Sequence, residues 1–112
     1  MLRQLKLLQQ VAADHHKLTC ISETGYQGIP TVDWWTDVLG PILSTYNDQL
    51  SYILIWRNYG LGHYYAPYPG QASAGNFKRF YERGSSLFQD KLTPLAIYGP
   101  KHLLRYNRNV SP

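Results

Sequence analysis

The sequence predicts an α/β fold with parallel strands, and three observations carry that prediction. Two short apolar runs, "LTCIS" (18–22) and "LSYILIW" (50–56), have strand length and strand composition. Segments with helical spacing of apolar residues precede, separate and follow them. The resulting order, helix–strand–helix–strand–helix, is the signature of parallel βα units.

The elements follow in chain order. Residues 2 to 13 place Leu5, Leu8, Val11 and Ala12 on one helical face. The opening "MLRQLKLLQQVAADHHK" has no acid before Asp14 and superficially matches a transit peptide, but its period is that of an amphipathic helix. His15, His16 and Lys17 follow where cations favour a helix C-terminus. Adjacent histidines do not share a helix face, and no third ligand stands near them, so no metal site is expected. "LTCIS" reads as a strand buried on both faces, with Cys20 as a small buried hydrophobe. After the loop "ETGYQGIP", a helix is predicted from about Asp33 to Tyr46, capped by Thr31 or Asp33. Trp35, Leu39 and Leu43 form its apolar face with Ile42 alongside, and Pro41 is placed to kink or limit it. Asn47 and Asp48 make a turn into the second strand. A long loop rich in Tyr, Gly and Pro (57–73) leads to a third helix, roughly Gly75 to Arg83. Ser73 is its expected cap, and Phe77, Phe80 and Tyr81 are its buried residues. "SLF", "PLAIY" and a basic tail follow, and "PLAIY" reads equally as a helix turn or an extended piece.

Composition narrows the function classes. The chain has 112 residues, enough for one domain or part of one. Hydrophobic residues at 44% are ordinary for a packed core and argue against disorder. A single cysteine excludes an intrachain disulfide. No apolar stretch reaches membrane-spanning length. The net charge is +4, yet basic residues are scattered apart from Lys101, His102, Arg105 and Arg108. That is solvated surface rather than the stripe of a nucleic-acid binder. Ten Tyr and three Trp against only 16% charged residues suit amphipathic ligands that present both hydroxyls and apolar faces, as sugars do. The triplet Asn109-Val110-Ser111 is followed by Pro112, which makes it a negligible glycosylation signal.

Topology then singles out a site. Right-handed crossovers put the C-terminal ends of both strands on one edge. Parallel α/β folds bind their ligands along that edge. Glu23 ends the first strand, and Trp56, Arg57 and Asn58 end the second. A carboxylate, a large aromatic and a guanidinium should therefore converge there. By itself a carboxylate such as Glu23 is more often a solvated strand-end charge. Trp56 could be plain core, and Arg57 could pair with an acid at the rim. Trp34 and Trp35 read as helix packing.

The segments "SETGYQGIPTVDWW", "LSYILIWRN" and "HYYAPYPGQASAGNF", in this order, resemble glycoside hydrolase family 26, the retaining β-mannanases and their relatives. The resemblance spans roughly residues 18 to 98. It implies a partial (β/α)8 barrel, a TIM barrel represented here by its last two strands, seven and eight. It also implies that 1–98 is the C-terminal part of a catalytic domain, with 99–112 an unassigned basic tail. Under the resemblance Glu23 is the nucleophile and Trp56 the platform beneath the sugar ring. Arg57 and Asn58 reach sugar hydroxyls, Tyr26 joins them as a substrate contact, and His63, Tyr64, Tyr65 and Tyr68 line the cleft rim, with His63 and Tyr65 also expected to bind substrate. Arg57, Tyr26 or the Thr24 hydroxyl would keep the carboxylate ionised. The family's acid/base Glu, beside a His, has no counterpart in these residues. A full barrel takes about 250 residues, so the chain is expected to be a fragment that needs the rest of its barrel and is inactive alone. The implied substrate is a β-1,4-mannan-type polysaccharide, with xylan or mixed-linkage glucan as alternative specificities. A non-catalytic carbohydrate-binding remnant is the alternative class. No cofactor, no metal, no nucleic acid and no membrane segment are expected. The resemblance implies a secreted or cell-surface setting. The last residues, "GPKHLLRYNRNVSP", depart from the family pattern.

Overall fold

The computed structural model describes residues 1–46 and 48–95. The turn residue Asn47, the end of "PLAIY", the basic cluster from Lys101 to Arg108 and the Asn109 triplet lie outside the described residues. The chain forms α1 (Leu2–Asp14), β1 (Thr19–Thr24), a π-helical turn (Trp35–Leu39) continuous with α2 (Gly40–Tyr46), and β2 (Leu50–Ile55). Helix α3 (Ala74–Glu82), a short α4 (Gln89–Leu92) and a 3-10 turn (Thr93–Leu95) complete it. The strands pair in parallel, so the predicted α/β class holds.

Helices cover one face of the sheet and leave the other open. Thr19 is buried, and Ile21, Ile53 and Ile55 pack against the core from the covered side. On the other side Ser22, Glu23, Tyr52 and Leu54 are exposed. The expectation that "LTCIS" is buried on both faces is therefore corrected. Cys20 is only half-buried. Interaction with the Cys20 side chain raises the Tyr52 phenol above its ordinary pKa. The same asymmetry corrects α1: Leu5 and Ala12 are buried, but Leu8 and Val11 face outward, because no described element covers that side.

The core is built on Trp35, Leu39, Ile42 and Leu43, joined by Leu5, Ile29, Trp34 and Phe80. The apolar positions of the second helix were read correctly, but its first turn is π-helical. Gly40 donates its N–H to the carbonyl of Trp35, five residues back. Pro41 comes next and has no N–H to offer the Asp37 carbonyl in an α register. A single wide turn before a proline is a common way to absorb that missing donor.

Helix α3 packs on this wide turn. The Phe77 ring meets Trp35 edge-on at 4.6 Å, and Phe80 is buried beside it. Phe77 and Tyr81, expected to be buried, are half-buried. Polar groups set the contact. The Trp35 indole N–H donates to Ser73 Oγ at 3.2 Å, and Ser73 Oγ donates to Gln71 Oε1 at 2.6 Å. Ser73 is thus the N-cap by position but makes no capping bond from its side chain. Asn76, also buried, accepts the Thr36 N–H at 3.1 Å and donates to Asp33 Oδ1 at 2.9 Å and Thr36 Oγ1 at 2.8 Å. The "PGQASAGN" segment therefore works as a polar wedge between helices. Every side-chain donor it buries finds an acceptor, as burial demands.

Candidate active site

The C-terminal edge of the sheet is shaped by a break in strand register. Thr19 pairs with Leu50, Ile21 with Ile53 and Thr24 with Ile55. Between the first two pairs β2 carries one extra residue, and between the last two β1 does. The second irregularity falls at Ser22 and Glu23. Strict alternation would send Ile21 and Glu23 to the same face, toward the helices. With an extra residue, Ser22 and Glu23 are both exposed before Thr24 turns partly inward. Bulges of this kind commonly re-aim a side chain beside a site.

The pairing runs one residue past β2, because Trp56 donates its N–H to the Thr24 carbonyl at 2.8 Å. That bond brings the Trp56 indole alongside Glu23. Glu23, Thr24, Gly25, Trp56 and Tyr65 line one shallow cleft of about 240 Å³. Glu23 is the one carboxylate lining it among the described residues. No described side chain forms a hydrogen bond or ion pair with that carboxylate.

Tyr65 reaches the cleft through two loops that are stitched together. Gly28 donates to the Tyr64 carbonyl at 2.8 Å, and the Tyr64 hydroxyl donates to the Gly28 carbonyl at 3.0 Å. The Gln27 amide donates to the Gly62 carbonyl at 3.3 Å. Gly25 adopts φ +127°, and a Cβ there would stand 2.9 Å from Tyr65 Cδ1. Only glycine permits both that backbone and that approach.

The remaining predicted residues take different places. The Arg57 guanidinium lies 6.0 Å from the centre of the Trp56 ring and 5.9 Å from that of Tyr59. It stacks on aromatics rather than pairing with an acid. His63 meets Tyr65 edge-on at 5.4 Å and is not among the five residues that line the cleft. Tyr26 is exposed on the adjoining loop. Tyr64 and Tyr68 pack on each other at 5.2 Å. The Asn58 amide is occupied by the loop: its Nδ2 donates to the Ala66 carbonyl at 2.8 Å, and its Oδ1 accepts the N–H groups of Tyr65 and Ala66, each at 2.9 Å. Sequence reasoning missed the lining role of Gly25, although its place directly after Glu23-Thr24 was a signal. Among the described residues no group of His, Cys, Asp and Glu is placed to hold a metal ion. No helix of the described chain is long and apolar enough to cross a membrane.

A larger concavity, about 730 Å³, lies elsewhere. It runs along β2 beneath α3 and α4 and is lined by Leu39, Leu43, Ile53, Phe80 and Phe88 among others. Its lining is mostly apolar, and its polar members, Ser51, Tyr52, Ser85, Ser86 and Gln89, include no charged side chain, so the small cleft with its carboxylate at the strand ends is the better candidate for chemistry.

Fold and cleft together define a parallel βα protein with a strand-end carboxylate set beside an indole. Among solved structures, the chain is similar to a GH26 β-mannanase from Bacteroides ovatus, with 44% sequence identity and a TM-score of 0.70. The match covers 76% of this chain and 25% of that one, so the chain spans about a quarter of the mannanase's length. The resemblance to glycoside hydrolase family 26 thus holds in sequence and in fold. No family model matches the chain. No curated protein matches it.

Proposed function

We propose that this chain carries the nucleophile half of a retaining β-mannanase site. In this reading β1 and β2 are the seventh and eighth strands of a (β/α)8 barrel, and 1–98 is the C-terminal part of its catalytic domain. The observation that carries the reading is the Glu23 carboxylate lining one cleft with Trp56. Retaining glycosidases use two carboxyl groups about 5–5.5 Å apart across the scissile bond. One attacks the anomeric carbon and forms a glycosyl-enzyme. The other first protonates the leaving oxygen and then takes a proton from the water that releases the sugar. Glu23 fills the first role. The Trp56 indole offers its face to the apolar C–H face of a pyranose. Arg57, stacked on that indole, points its remaining donors at sugar hydroxyls, and Tyr65, His63 and Tyr26 extend the cleft wall. The general acid comes from the part of the barrel that the matching quarter does not include, so the isolated chain binds sugar weakly and turns none over.

The test is a chimera. The matching quarter of the Bacteroides ovatus mannanase is replaced by this chain, and mannan hydrolysis is followed. Hydrolysis with net retention is the expected result. Glu23→Gln in the same chimera should lower turnover roughly a thousandfold or more, the scale on which removing one member of a catalytic set acts. A folded chimera in which Glu23→Gln leaves turnover unchanged removes the nucleophile assignment.

A further inference from the structure

We infer that Asn58 is a positioning residue that latches the 58–66 loop and thereby holds the Tyr65 ring as the wall of the cleft. The inference rests on the proposed sugar-binding role of that cleft, and it gives Asn58 an indirect part in place of direct contact with substrate.

The geometry of three bonds argues for it. Two backbone N–H groups, of Tyr65 and Ala66, point at one side-chain atom, and one carbonyl, of Ala66, faces the other. That pattern needs an acceptor and a donor on a single short planar group. It also settles which end of the Asn58 amide is oxygen. Aspartate would supply the acceptor half and oppose the Ala66 carbonyl. Alanine would supply neither. The bonds close a loop of nine residues, 58–66, on its own first residue, and the residue they clamp is Tyr65. Its ring has nowhere to move toward β1, because it already rests against Gly25. Asn58 pulls from behind and Gly25 stops the ring in front. The ring edge is held beside the Glu23–Thr24 step, where it lines the cleft. With all three bonds made inside the loop, little of the Asn58 amide is left for a ligand.

Nuclear magnetic resonance on the full 112-residue chain tests this without any sugar. The Tyr65 ring should displace the Gly25 Hα resonances, and Tyr65→Ala gives the reference values without that ring. In Asn58→Ala the Gly25 resonances should move to those of Tyr65→Ala. The Tyr65 and Ala66 amides should exchange at least tenfold faster, and Asn58→Asp should restore much of their protection. The Trp35 indole N–H, bonded to Ser73 at 3.2 Å, reports whether each variant is folded. Unmoved Gly25 resonances in folded Asn58→Ala would overturn the inference. So would Tyr65 and Ala66 amides that already exchange freely in the unaltered chain, a measurement that needs no variant. Titration with mannohexaose, read at the Trp56 indole resonance, tests the sugar reading separately. If the sugar leaves Trp56 unmoved while Gly25 responds as expected, the latch stands and the sugar reading falls.

Discussion

At the scale of single residues, the site depends on where backbone freedom is placed. Glu23 is turned outward by one extra residue in its strand, and Gly25 two positions later lets the Tyr65 ring close in. Gly25→Ala should therefore lower stability by about 1–3 kcal/mol, from strain at positive φ and from overpacking against the tyrosine ring. Urea denaturation followed by Trp fluorescence checks it. A stability equal to that of the unaltered chain would mean the ring yields freely. Glu23 and Trp56 were legible in the sequence because strand-end position and residue type mark them, whereas Tyr65 stood out only as one of several tyrosines of the long loop. Asn58 was legible only as a polar residue after Trp56 and Arg57. Its engagement with backbone eight residues away is a tertiary fact that no local pattern encodes.

At the scale of elements, helix periodicity was the readable signal and the polar contacts between helices were not. Trp35, Leu39, Ile42 and Leu43 stood out by spacing, and they are the core. Gln71 reads as loop, Ser73 as a helix cap and Asn76 as a helix residue, yet the three together hold α3 on the wide turn before Pro41. Asn76→Ala leaves the Thr36 N–H without its acceptor, and about 1–3 kcal/mol of stability should be lost. Thermal or urea unfolding would show it, and a loss smaller than a few tenths of a kcal/mol would mean water replaces the amide. The α3–α4 junction makes a pH-dependent prediction. The Tyr81 hydroxyl, 2.6 Å from Asp90, holds that carboxyl below the usual range, helped by the Lys91 backbone and charge. A depressed folded pKa stabilises above the ordinary carboxylate value, and that contribution fades as pH falls through the lowered value. Tyr81→Phe should flatten this acid limb. Amide exchange across Gln89–Leu92, measured between neutral and strongly acidic pH, checks it. An unchanged acid limb in Tyr81→Phe would remove the link.

At the scale of the whole molecule, the described part has more apolar faces than it covers. Both strands have a free edge, and Leu7 and Val11 on α1 and Leu54 on β2 are exposed. The groove beneath α3 and α4 lies open. Patches of this extent do not stay solvent-facing without consequence. The isolated chain should bind the dye ANS and associate with rising concentration in sedimentation velocity. The chimera described above should do neither. A monodisperse monomer with a single cooperative unfolding transition would count against the reading as part of a barrel.

The sequence by itself determined the α/β class, the parallel pair, the edge where Glu23 and Trp56 meet, and the family resemblance. These follow from periodicity, residue type and chain order, which are local or topological properties. The tertiary structure alone decided which face of the sheet is covered and that Glu23 leaves its strand toward the open side. It alone decided that Asn58 serves the loop while Tyr65 serves the cleft. Each of those outcomes is a choice among neighbours distant in the chain. Such choices turn on packing space and on which buried donors find acceptors, and neither quantity is written in any single segment.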